Sequence, residues 1–71
     1  MKKYLVVIEE TDTGYLAYSP DLDGCVSTGA TREEVERNMR GAIQFHLDGL
    51  REEEYEVPEP NSYSAYVEVP A

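Results

Sequence analysis

The residues able to do chemistry are few and scattered. His46 is the only histidine and Cys25 the only cysteine. A histidine acting as general acid or base needs a nucleophile or an orienting carboxylate beside it, and no such context surrounds His46. It falls in the middle of an apolar helical stripe, so a packed, hydrogen-bonded structural role is expected. Cys25 has no activating neighbour in the chain and reads as a buried, inert thiol. One Cys and one His cannot supply a tetrahedral zinc site. A metal-dependent nuclease would need Asp21, Asp23 and Glu10 to converge on a cation. The two aspartates lie in a Pro/Gly-bounded loop where solvated carboxylates are the rule. No phosphate-binding glycine loop or Ser/His/Asp set is present. The expectation is a non-enzyme with no catalytic residue, no metal and no cofactor.

What remains is charge. The 71-residue chain carries a formal net charge of −9, with 15 acids against 6 bases. Such a surplus repels phosphate backbones, so direct nucleic-acid binding is not expected despite six tyrosines. All six bases lie between Lys2 and Arg51, while residues 52–71 hold six acids and no base. The run Glu52, Glu53, Glu54, Glu56 and Glu59 either keeps the protein soluble or steers it to a cationic partner. With Asp21 and Asp23, these residues form the candidate partner-binding set.

The elements that must position these groups follow from pattern. Lys3 to Glu10 is β-branched and aromatic and reads as a strand, closed by the turn Thr11-Asp12-Thr13-Gly14. Tyr15 to Ser19 returns, Pro20 to Gly24 loops, and Cys25 to Thr28 is a short third strand. Thr31 with Glu34 three residues later is a capping box. Val35, Met39, Ala42, Ile43, His46 and Leu50 then recur on one helical face to about Arg51. Glu33 with Arg37, and Glu36 with Arg40, are spaced to pair on the outer face. Val57 to Asn61 contains two prolines and reads as an extended linker. Ser62 to Val69 alternates Tyr63, Ala65, Val67 and Val69 with Ser64, Tyr66 and Glu68, the pattern of a fourth strand. The expected order is β-β-β-α-β, an α+β domain with an antiparallel, hairpin-containing sheet and one helix on one face.

One helix cannot cover both faces of such a sheet. Leu5, Val7, Leu16 and Tyr18 lie opposite Tyr4, Val6, Ile8, Tyr15 and Ala17 by strand alternation. An uncovered apolar face marks an interface, and a chain this short gains support from association. These four residues are therefore expected to line a homo-oligomer contact, in a dimer or tetramer. The apolar run Tyr4 to Ile8 is too short for a signal peptide or a membrane span, so a cytoplasmic location is expected.

The motifs also resemble a known family. Tyr4-Leu5-Val6-Val7-Ile8, Gly14-Tyr15-Leu16-Ala17-Tyr18 and Pro20-Asp21-Leu22-Asp23-Gly24-Cys25 are similar to the N-terminal part of HicB antitoxins. Gly29-Ala30-Thr31-Arg32-Glu33-Glu34-Val35 resembles their helix start, and Ala42-Ile43, Leu47, Pro58 and Val67-Glu68-Val69-Pro70 fit as well. The resemblance implies a partial RNase H-like fold without nuclease activity. Consistently, Leu5-Val6-Val7-Ile8 holds no carboxylate where RNase H-type enzymes need one. It also implies a partner, a small basic HicA-like toxin that cleaves mRNA and is neutralised when the antitoxin covers its active surface. Many HicB proteins add a DNA-binding module. Here no basic helix-turn-helix or ribbon-helix-helix segment is found, so one HicB-like domain over residues 1–71 is expected. The alternative role is an orphan HicB-like scaffold or small-ligand binder without a toxin.

Overall fold

The computed structural model describes residues 1–71. The chain runs β1 (Val7–Thr11), β2 (Gly14–Tyr18), β3 (Val26–Gly29) and α1 (Arg32–Glu52). It is the expected α+β arrangement, one antiparallel sheet in the order β1-β2-β3 under a single helix. A two-residue turn, Asp12-Thr13, sets the hairpin register, so that Ile8 faces Ala17 and Val7 faces Tyr18.

The helix forms where its capping chemistry begins. Thr31 is extended and its hydroxyl accepts from Glu34 N at 3.1 Å. Glu34 reaches back, its Oε1 accepting from Ala30 N at 2.8 Å, one residue before the N–H that a standard capping box engages. The helix then presses Val35, Met39 and Leu47 onto Ala17, Leu22 and Cys25. These six are the buried hydrophobic core, with Tyr4, Val6, Ile8, Tyr15, Ala42, Ile43, Leu50 and Val57 packed around it. Gly29 permits this approach, since a Cβ there would meet Val35 N at 2.6 Å. Asn38 adds a polar tie, donating to Thr28 O at 2.9 Å.

Three expectations need correction. The first strand does not begin at Lys3. Its ladder starts at Val7, because β2 ends at Tyr18 and the chain then turns through Ser19 and Pro20, leaving residues 3–6 without a backbone neighbour. Nor do residues 62–69 form a strand, and no segment of this chain pairs with them. The helical pairs Glu33–Arg37 and Glu36–Arg40 do not close; the polar contacts on the outer face are Gln44 to Asp48 at 2.9 Å and Arg51 to Asp48 at 3.4 Å. Exposed side chains in such pairs gain too little to fix one geometry.

The helix ends one residue beyond Arg51, in an unusual way. Tyr55 N donates to Leu50 O at 2.8 Å and Glu54 N to Arg51 O at 3.1 Å. That is the Schellman pattern, which calls for a left-handed residue in the place held here by Glu54. Glu54 adopts it, at φ 59. Glycine is the usual residue where a helix ends this way, because a Cβ there costs roughly 1–2 kcal/mol.

Past Tyr55 the chain returns across the end of the sheet. Val57 packs on the core. Pro58 O accepts from Tyr4 Oη at 2.6 Å, and Glu59 meets Lys2 Nζ at 2.8 Å. Asp21 then clamps the segment, accepting from Asn61 N at 3.2 Å, Ser62 N at 3.0 Å and Ser62 Oγ at 2.9 Å. The Ser62 N–H is the chief reason the Asp21 carboxyl lies below its ordinary value, partial desolvation opposing it.

Two outcomes are expected. Glu54→Gly should stabilise the fold by about 1 kcal/mol, read as a higher urea midpoint at unchanged slope. Asp21→Asn should speed hydrogen exchange at Asn61 and Ser62 at neutral pH. Because folding depresses this acid, the clamp is complete above the unfolded value of 3.8 and is lost as pH falls through the lower folded one. In the parent protein these amides should therefore lose protection only in acid.

Candidate functional site

The sheet separates the acids that a nuclease would need. Glu10 stands opposite Tyr15 beside the hairpin turn, whereas Asp21 and Asp23 follow β2 at the other end. No group of three His, Cys, Asp or Glu side chains is placed to hold a metal ion. Asp21 is occupied by the clamp, and Asp23 is exposed. Cys25 is buried and free, its thiol pushed up by desolvation. His46 is partly buried, as its place on the stripe suggests, but its side chain makes no hydrogen bond. No helix is long and apolar enough to cross a membrane.

The structure does gather the remaining acids. Glu52, Glu53 and Glu54 sit at or just beyond the last turn of α1, and Glu56 follows two residues later, all exposed. Arg51, their one basic sequence neighbour, is turned to Asp48. Anions here oppose the helix dipole, whose C-terminal end is already negative. Left-handed Glu54 adds backbone strain at the same spot. The exception is Glu59. It was expected to be free of basic neighbours, yet Lys2 pairs with it from 57 residues away. Such a long-range partner is invisible in a reading of local charge.

Beside the acids lies an apolar depression of about 510 Å³, lined by Val26, Ala42, Phe45, His46, Leu50 and Tyr55, with Glu53 on its rim. Phe45 is 82% exposed and Tyr55 65%. Phe45 is absent from the candidate residues that pattern and charge single out. Its signal is present all the same: it is the one aromatic residue of the helix and lies outside the apolar stripe. Exposed aromatics ringed by polar groups are the usual anchors of protein contacts. Glu53 belongs to both the depression and the acid cluster, and so links the two at the helix C-terminus.

A second surface is the sheet face away from the helix. Val7 and Tyr18 are cross-strand partners, Leu16 continues their face on β2, and Leu5 lies on the unpaired lead-in ahead of the ladder. All four are only partly buried, and Val26, opposite Tyr18, is 56% exposed. Within the ladder, Val7, Leu16 and Tyr18 share one side of the sheet.

Comparison with known proteins adds a family. The family described as "HicB_like antitoxin of bacterial toxin-antitoxin system" matches residues 4–71. An uncharacterized 14.9 kDa protein of Haemophilus phage HP1 is 37% identical over 94% of this chain, which spans half of that protein's length. A UPF0150 protein of Helicobacter pylori is 41% identical over 89% of both chains. Antitoxin HicB 2 of Photorhabdus laumondii is 34% identical over 97% of this chain and half of its own. Among solved structures, a chain of a HicA3 and HicB3 toxin-antitoxin complex superposes with a TM-score of 0.73 at 32% identity, over 84% of this chain and 70% of that one. By sequence along nearly its whole length and by fold, this chain belongs to the HicB-like antitoxins of bacterial toxin–antitoxin systems.

Proposed function

We propose that this chain is the antitoxin of a toxin–antitoxin pair and neutralises a small, basic, HicA-like mRNA-cleaving toxin by covering its active surface. The role is one of binding, without catalysis, and it is exercised in the cytoplasm, where such a toxin meets mRNA. The observation that carries this reading is the joined surface at the end of α1. There Glu53 lines a depression holding Phe45 and Tyr55, and the exposed acids Glu52, Glu54 and Glu56 flank it in sequence. A ribonuclease must present cations where it binds phosphates. Acids crowded against a negative helix end are relieved by such cations, and an aromatic anchor supplies burial that charge alone does not. Asp23 is a further candidate contact, being exposed on the Pro20–Gly24 loop. Asp21 and Glu59 contribute less, since each already has a partner within the chain. We assign the face of Leu5, Val7, Leu16 and Tyr18 to contact between copies, on the strength of its apolar character.

The direct test is inhibition. A purified HicA-type toxin should lose its cleavage of a model mRNA as this protein is added to stoichiometry. Two variants should separate steering from anchoring. Glu53→Lys with Glu56→Lys should slow association by on the order of tenfold at low salt and flatten its salt dependence, with dissociation little changed. Phe45→Ala should leave association near the parent rate and speed dissociation by about tenfold or more. Unaltered rates in both would move the interface elsewhere.

Alone, the protein should leave RNA and DNA intact with Mg²⁺ or Mn²⁺ over a long time course. Metal-dependent cleavage that vanishes in Asp21→Asn or Asp23→Asn would make it a nuclease instead.

A further inference from the structure

Residues 63–71 leave the body of the molecule with nothing to hold them. None of them makes a hydrogen bond, and backbone–backbone bonding ends at Tyr55. Tyr63 is 89% exposed, Tyr66 103%, Val67 78% and Val69 70%. The arm stretches the molecule: its radius of gyration is 13.9 Å, against about 11 Å for a compact domain of this length. An alternating, β-prone segment in water exposes both its apolar face and its backbone groups, and a β-strand needs a partner to satisfy them.

The body of the molecule has the matching vacancy. β1 is an edge strand, with β2 on one side and no neighbour on the other. Its lead-in, residues 3–6, has no backbone partner on either side. Above that edge α1 overhangs a groove of about 1010 Å³, with Val6, Ile8, Met39, Ile43 and Leu47 among its apolar lining. Lys2, Lys3, Arg40 and Arg51 also line it, against one acid, Glu36. Four of the six bases of a chain with net charge −9 thus gather beside one open strand edge. The arm carries Glu68 and no base.

The chain's own arm is led away from this groove. The return segment passes Tyr4 and Lys2 beneath β1 and is then fixed by Asp21 on the β2–β3 connection, on the far side of β1 from its free edge. We propose that residues 62–69 are a fourth strand delivered in trans. The arm of one copy pairs with the free edge of β1 in a second copy and lays Tyr63, Ala65, Val67 and Val69 in the β1–α1 groove, and the exchange is reciprocal. Length agrees: beyond the clamped Ser62, the seven residues Tyr63 to Val69 match the eight from Tyr4 to Thr11. So does charge. A second copy is the occupant because arm and groove are complementary parts of one chain, and a reciprocal contact closes the assembly. The contact is distinct from the toxin surface at the helix end, and no toxin is needed to test it.

The test uses full-length variants and light scattering with far-ultraviolet circular dichroism. Val67→Pro removes a ladder N–H without touching the core. It should halve the mass of the assembly while the helical signal persists. Ile43→Glu places a charge on the groove floor and should do the same; Arg40→Glu, at an exposed position, serves if the first variant does not fold. Neither the arm variant nor the groove variant self-assembles in this way. Mixed one to one, they should form a heterodimer, because the intact arm of the groove variant fits the intact groove of the arm variant. Energy transfer between N-terminal labels reads that pairing. A parent protein that is monomeric at every accessible concentration overturns the proposal. So does an unchanged mass in Val67→Pro, which would leave the outer sheet face as the sole contact between copies, or a mixture that yields no heterodimer.

Discussion

One contact holds this molecule together: the stripe of α1 pressed onto the inner face of a three-stranded sheet. Val35, Met39 and Leu47 meet Ala17, Leu22 and Cys25, and these are all the hydrophobic residues the chain buries fully. A fully buried aliphatic side chain contributes about 1.5–3 kcal/mol, so a core of six leaves little margin for a loss at any one of them. The close approach at Gly29, the Thr31–Glu34 cap and the Asn38–Thr28 tie all set the helix at the height where that contact is made. The clamp at Asp21 extends it, drawing the returning chain over the end of the sheet so that Val57 joins the rim of the core.

Because the core is small, most of the chain is surface, and the surface is specialised. Charge is segregated: bases gather in the β1–α1 groove, and acids gather at the end of the helix. The placement of the acids does not help the isolated fold. Anions at a helix C-terminus and a non-glycine residue in the left-handed region both oppose stability. Such local costs persist where something outside the chain offsets them. In the function proposed above, a cationic partner would be that offset for Glu52 to Glu56, with the exposed ring of Phe45 as its apolar foothold.

Much of this is legible in the sequence because it depends on near neighbours. The helix is specified by a cap and its reciprocal acid three residues apart and by an apolar stripe of helical period. The hairpin is specified by Thr11 to Gly14, and the sidedness of β1 and β2 by strict alternation. Motifs spread along the whole chain, from Tyr4 to Pro70, point to the family through residue type and order alone.

What the tertiary structure decided is who meets whom at long range. Asp21 has the local marks of a solvated loop acid and is instead the clamp on Asn61 and Ser62. Glu59 has no basic neighbour in sequence and finds Lys2. β1 is shorter than its apolar run because the length of a strand is set by the neighbour available to it, and β2 gives way to Ser19 and Pro20. The segment 62–69 has every local mark of a strand and none of the backbone pairing. Alternation fixes which face a side chain takes, but a strand also needs hydrogen-bond partners, and the path of the chain, not its pattern, decides whether the same molecule can supply them.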